Sequence, residues 1–250
     1  LVRIEIFKNI YLVAAGRYYY THPLNCNVYL IVGDKELALV DAGAGLDDSV
    51  IESIQALGYD PRKISKIILT HSHWDHAGGA ARIKEISGAE VAVHEQGVEI
   101  VEKALYGYKA EFRPVKVDIV LKDGDIIPVY PYELRVIYTP GHTLDSVCLL
   151  MRYEGKKVLF SGDTVKAWGK LGVTSAETDF KLYKRSLEKL SELKVDALLP
   201  GHEIFIVTKA YEHVDLALER ISQKWEDFVE FPHNPLYKRL REHWGIVPKR

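Results

Sequence analysis

The chain has 250 residues, 47% of them hydrophobic, with 33 Lys and Arg against 35 Asp and Glu for a formal net charge of −2. That length allows one large domain or two small ones with an ample core, and the near-neutral balance gives no electrostatic reason to expect nucleic acid or an anionic membrane as partner. No apolar run approaches the ~20 residues that span a bilayer, and the opening LVRIEIFKNI alternates like a strand without the apolar centre and cleavage site of a signal peptide. The expectation is a cytoplasmic protein.

Strands dominate the first stretch: IEIFKNIYLVAA, then NVYLIVGDKELALVDAG, two apolar runs around a Gly-Asp turn that read as a hairpin. Residues 47–58 read as a helix, opened by acidic residues and closed by Gly58. KIILT (66–70) is a short apolar strand, HAGGAARIKEISG a helix, AEVAVHE (89–95) a strand and 96–107 a helix, followed by a linker through Arg113 and Pro114. DIVLKDGDIIPV, YELRVIYTPGH and DSVCLLMRYEGKKVLFSGDT are strand-rich, with DG and EG turns. Phe180, Tyr183, Leu187, Leu190 and Leu193 recur at helical spacing over 179–194, and VDALLPGH is one more strand. Val214, Leu218, Ile221, Trp225 and Phe228 line one face of a helix over 208–230, and a basic tail ends the chain. Strands followed by helices, twice over, predict two stacked sheets with helices outside. Residues 1–207 are expected to form this domain, with 208–250 a helix and tail packed on it. Cys26 and Cys148 sit in separate apolar runs and read as buried free thiols. Scarce Met, Cys, Asn and Gln beside abundant Lys and Glu resemble a thermostable composition.

The stretch THSHWDHAGG (70–79) places His71, His73, Asp75 and His76 within six positions of a chain that has ten histidines. At these frequencies the pattern arises by chance on the order of once in a thousand such sequences. Four other loops share one design, an apolar strand that ends at a Gly-flanked turn bearing a ligand-type side chain: Asp41 in LVDAG, His142 in YTPGHT, Asp163 in LFSGDT and His202 in LLPGHE. Taken singly, each has a plainer reading, a surface histidine or a helix-capping aspartate. Taken together with the histidine cluster they point to a metal site, because strand ends on a rigid sheet hold ligands to the tolerance that coordination needs. Imidazole and carboxylate donors suit Zn²⁺, Fe²⁺ or Mn²⁺.

The series VDAG, THSHWDH, PGH, SGD, PGH closely resembles the metallo-β-lactamase-fold superfamily over residues 10–205. The resemblance implies an α+β four-layer αββα sandwich, here with a C-terminal helical extension, and two divalent metal ions, zinc first, with iron or manganese as alternatives. His71, His73 and His142 would hold one metal, Asp75, His76 and His202 the other, with Asp163 between them and Asp41 orienting the histidine loop. A metal-bridging hydroxide would then cleave an acyl bond of a small-molecule substrate, with Asp75 and Asp163 as catalytic carboxylates. Gly78 and Gly79 are expected to let the next helix pack close. Trp74 before the aspartate makes the motif most similar to hydroxyacylglutathione hydrolases of the glyoxalase II type, so a thioester is the expected substrate. A lactonase, a mono-iron persulfide dioxygenase and a nuclease or phosphodiesterase are the alternatives, and a homodimer is an open one. The loop RYYYTHP (17–23) and the segment 104–117 are expected to border the entrance.

Overall fold

The computed structural model describes residues 3–105, 112–172 and 178–223. Its strands and helices run β1 (Ile4–Phe7), β2 (Ile10–Ala14), β3 (Val28–Val32), β4 (Leu37–Val40), α1 (Ser49–Ala56), β5 (Ile64–Ile68), α2 (Trp74–Ala77), α3 (Ala80–Ser87), β6 (Glu90–His94), α4 (Val98–Lys103), β7 (Ile119–Leu121), β8 (Ile126–Val129), β9 (Tyr132–Tyr138), β10 (Val147–Tyr153), β11 (Lys156–Gly162), α5 (Phe180–Leu193), β12 (Ala197–Pro200) and α6 (Ala210–Gln223). One sheet has the order β1-β2-β3-β4-β5-β6-β7, the other β12-β11-β10-β9-β8. β4 to β7 pair in parallel, as do β11 and β12, while the remaining pairs are antiparallel.

Strand alternation builds the layers. Tyr29, Ile31, Val40, Leu149, Met151, Phe160 and Leu199 fill the space between the two sheets. Val28, Leu30, Leu39, Val91 and Val93, the alternate residues of the first sheet, pack with α1 and α3. Cys148, Leu159 and Leu198 do the same for α5 and α6 on the second sheet. Strands buried on both faces read as continuous apolar runs, and each fully buried Leu, Ile or Val contributes about 1.5–3 kcal/mol of burial. The result is the expected αββα sandwich.

Three expectations change in detail, and a fourth is described only in part. β5 starts at Ile64 and ends at Ile68, so Thr70 stands beyond the ladder. The helix read across HAGGAARIKEISG is two, α2 and α3, parted at Gly78 and Gly79. A Cβ at Gly78 would meet the Ala44 carbonyl oxygen at 2.2 Å, and one at Gly79 the Ala42 oxygen at 2.1 Å, so the close approach needs both glycines. Phe112, Val115 and Val117 are buried in the core between the first sheet and its helices, so that part of 104–117 is packing rather than entrance. In the helix over 208–230, Val214 and Ile221 join Tyr183, Leu187 and Leu190 in one cluster as read, whereas Trp225, Phe228 and the tail lie outside the described residues.

Cys26 and Cys148 are free and fully buried. Burial pushes their thiols up from 9.0 to about 12 and about 11 respectively. A folded value above the unfolded one means that their contribution to stability is complete below pH 9 and is lost as pH rises toward the folded values. Both thiols are therefore expected to resist iodoacetamide at pH 8 in the folded chain and to react after unfolding in urea, with the urea midpoint falling above pH 9. Fast native-state alkylation of either would contradict this.

Candidate metal centre

The C-terminal ends of β4, β5, β9, β11 and β12 meet at one edge of the sandwich, where the chain turns through Asp41, Thr70–His76, His142, Asp163 and His202. Backbone bonds join the sheets there: Val147 N–H donates to the Thr70 carbonyl at 2.8 Å and Asn27 N–H to Gly201 at 2.6 Å, while Gly201 N–H to Gly162 at 2.7 Å ties the ends of β12 and β11 within one sheet.

Asp41 organises the histidine loop. It has φ 63°, a left-handed conformation that Asp and Asn tolerate better than most residues. Its carboxylate accepts the Thr70 N–H at 2.8 Å and the Thr70 hydroxyl at 3.0 Å, and lies 2.9 Å from His76 Nδ1. The Thr70 oxygen in turn lies 3.1 Å from His71 Nδ1. With the protons on Nδ1, both rings leave an Nε2 lone pair for the centre, the usual way a second group fixes a histidine tautomer.

Two sets of donors result. His73 Nδ1 lies 3.0 Å from His71 Nε2 and 3.1 Å from His142 Nε2. His202 Nε2 lies 3.1 Å from Asp75 Oδ2 and 3.3 Å from His76 Nε2. Asp163 stands between the sets: its Oδ1 is 3.6 Å from His202 Nε2 and 3.8 Å from His76 Nε2, while its Oδ2 is 3.8 Å from His142 Nε2. All seven predicted donors are thus gathered, with His71, His73 and His142 grouped apart from Asp75, His76 and His202.

The donor set fits a cation. Ligands about 2.0–2.1 Å from a tetrahedral zinc stand roughly 3.3 Å apart, close to the spacings found. Asp163 Oδ1 is buried and has no hydrogen-bond partner among the described residues, an uncompensated acceptor of the kind that costs about 1–3 kcal/mol or more when left bare. Burial opposes ionisation of Asp163, but His202, His76, Lys166 and His142 outweigh it and hold the carboxyl well below the carboxylate range. Burial pushes His142 down to about 4 against the pull of Asp163, and burial with the neighbouring rings holds His71 well below the imidazole range. Carboxylates that stay ionised beside neutral His71 and His142 suit a metal, whereas His76, held well above the imidazole range by its acidic neighbours, would give up its proton on binding one.

Three neighbours escaped the sequence reading. Lys166 is buried with its Nζ 4.0 Å from Asp163 Oδ2; its signal was a lysine three residues after the aspartate in an otherwise apolar VKAW. Asn27 donates to the Pro200 and Glu203 carbonyls at 2.9 and 2.8 Å, fixing the turn that carries His202. Cys26 forms a third metal-competent group with Asp41 and His76. Burial keeps that thiol protonated and the Asp41–His76 hydrogen bond already engages the other two, so the trio braces His76 from behind.

Residues 22–202 match the Metallo-beta-lactamase superfamily. An atrochrysone carboxyl ACP thioesterase of Aspergillus fumigatus is 31% identical over 182 residues, 70% of this chain and 50% of that protein. The chain therefore spans half the length of that fungal relative. A hydroxyacylglutathione hydrolase of Francisella philomiragia is 27% identical over 233 residues, covering 92% of this chain and 81% of the relative. Among solved structures, the Rm3 metallo-beta-lactamase superposes with a TM-score of 0.76 at 20% identity, over 92% of this chain and 96% of that one. The family match over most of the chain and the likeness of fold agree, and the chain belongs to the metallo-beta-lactamase superfamily.

Proposed function

We propose that this chain is a binuclear metallohydrolase that cleaves thioesters of small molecules. The observation that carries the reading is the pair of donor sets with one oxygen of Asp163 turned to each. His71, His73 and His142 would hold the first metal, Asp75, His76 and His202 the second, and Asp163 both; zinc is the first choice of ion, iron or manganese the alternatives. Thioester cleavage is supported by relatives whose names are a carrier-protein thioesterase and a hydroxyacylglutathione hydrolase.

Bound metal supplies a water that loses its proton near pH 7 and an electrophile for the acyl oxygen. The chain's own groups do the rest. Asp41 and Thr70 keep His71 and His76 in the tautomers that face inward. Asp75 is lowered below the carboxylate range, burial being outweighed by His76 and His202, so it stays ionised, available to ligate a cation and to orient the proton of a water. Lys166 holds a positive charge against Asp163 and limits the cost of burying that carboxylate. Residues 1–207 carry all these groups, and we take 208–250 as an extension packed on them, supported by the core that α6 shares with α5. Two buried free thiols suit a reducing, cytoplasmic setting. Among the described residues no helix is long and apolar enough to cross a membrane.

Metal analysis of the purified chain beside a panel of thioesters, lactones, phosphodiesters and β-lactams tests the reading. The expected result is two metals per chain and thioester turnover abolished by a chelator. One metal with oxygen consumption, or turnover only of another class on the panel, would overturn it.

A further inference from the structure

The mouth of the centre carries large aromatic surface that the hydrolytic chemistry does not use. Trp168 is 52% exposed, Tyr18 43% and Tyr20 49%, and several large aromatic side chains left open to water beside one site point to a place of contact. The residues form one rim. Tyr18 and Tyr20 have ring centroids 6.4 Å apart, and the Tyr18 phenol lies within electrostatic reach of Glu203 and Lys170. Lys170 Nζ pairs with the Glu203 carboxylate at 2.8 Å and lies 5.6 Å from the centre of the Trp168 ring. Glu203 directly follows His202, so the rim begins where the donor set ends.

Trp168 is held in place at some cost. Its backbone sits at φ 59°, ψ 29°, a left-handed conformation that is an outlier for a bulky side chain and that persists only where the surroundings enforce it. Helix α6 enforces it twice: the Trp168 N–H donates to His213 Nδ1 at 2.7 Å, and the Trp168 carbonyl accepts from Arg220 Nη1. The next residue, Gly169, lies so close to α6 that a Cβ would meet the Ala217 nitrogen at 2.8 Å. Tyr19 and Glu203, on the other two rim loops, also have positive φ, 57° and 66°. The backbone that carries the exposed indole is thus held by α6 on both sides of the Cα.

Such a surface suits an apolar ligand. The Lys170 ammonium is already matched by Glu203, which leaves it little to offer the anionic groups of a polar thiol carrier, whereas an alkyl or aryl acyl group gains by leaving water against the indole and phenol rings. We infer that the Tyr18–Tyr20–Trp168 rim seats the acyl limb of the substrate, with Trp168 as a specificity-determining residue, and that the preferred substrates are thioesters of apolar, medium-chain or aromatic acids. This rests on the thioesterase reading above and adds the substrate class to it.

The test compares acetyl, octanoyl and benzoyl thioesters of pantetheine and of coenzyme A, hydrolysed by the zinc-loaded chain and its Trp168→Ala and Trp168→Phe variants. The preference for octanoyl over acetyl in kcat/KM is expected to fall about tenfold in Trp168→Ala. That fall should come through KM, should be equal on both carriers, and should be largely restored in Trp168→Phe. An unchanged preference, or a loss that follows the carrier rather than the acyl chain, overturns the inference. Calorimetric binding of octanoate against acetate keeps the two readings apart. Octanoate binding that is tighter than acetate and is lost in Trp168→Ala upholds the rim even if no thioester is turned over, a result that would sink only the thioesterase reading. Equal binding of the two acids by the unsubstituted chain overturns the rim whatever the turnover.

Discussion

Substituting Asp163 with asparagine is expected to lower kcat by about three orders of magnitude, the several kcal/mol that a correctly held metal contributes to the transition state. At least one metal per chain should be lost with it. The carboxylate presents Oδ1 to His76 and His202 and Oδ2 to His142. An amide of the same shape keeps one acceptor oxygen and turns an NH₂ group toward the other donor set, where it repels a cation instead of binding it. The change also removes the negative charge opposite the buried Lys166 ammonium, 4.0 Å away. Because the amide is isosteric, the sandwich survives, and the far-ultraviolet spectrum of Asp163→Asn should match that of the unsubstituted chain. Metal content and turnover measured on the same sample check the expectation. Two metals retained with full turnover would remove Asp163 from between the donor sets.

The layers and the grouping of the candidate ligands were legible in the sequence for related reasons. Strands such as VYLIV and KVLF are buried on both faces, so their apolar runs needed no partner to be read. Metal donors come from few residue types and sit at strand ends, so His71, His142, Asp163 and His202 stood out against apolar surroundings. What depends on a distant segment did not show. The helix after His76 breaks at Gly78 because the carbonyls of Ala42 and Ala44 lie against it, and helical periodicity is blind to them. The linker assigned through Arg113 carries Phe112 and Val115 into the core. VKAW resembles one more apolar stretch, yet it holds a buried lysine beside Asp163 and a tryptophan pinned by residues 45 and 52 positions further along the chain. Local pattern gives the elements and the candidate ligand types; contacts between loops have no local signature.

Asp41→Ala is expected to weaken metal binding about 10- to 100-fold and to destabilise the metal-free chain by about 3 kcal/mol. The side chain is 2% exposed and serves three groups at once: Thr70 N–H, Thr70 Oγ1 and His76 Nδ1. Removing it strands all three away from water. His76 suffers most, because although burial disfavours its charged form, the Asp41 and Asp75 carboxylates hold it well above the ordinary imidazole range in the metal-free chain, and Asp41 is its hydrogen-bond partner. Alanine also meets a backbone at φ 63°, which adds roughly 1–2 kcal/mol of left-handed strain. Asp41→Asn separates the two causes. Asparagine tolerates that backbone and keeps an acceptor for Thr70, so most of the stability returns. Its NH₂ group, however, would face His76 Nδ1 and turn that nitrogen into an acceptor, moving the ring proton to Nε2, where it points into the metal site. Metal affinity should therefore stay low in Asp41→Asn while the urea midpoint of the metal-free form recovers. If affinity and midpoint instead rise and fall together across the two variants, Asp41 acts on the fold alone and the tautomer of His76 is set by something else.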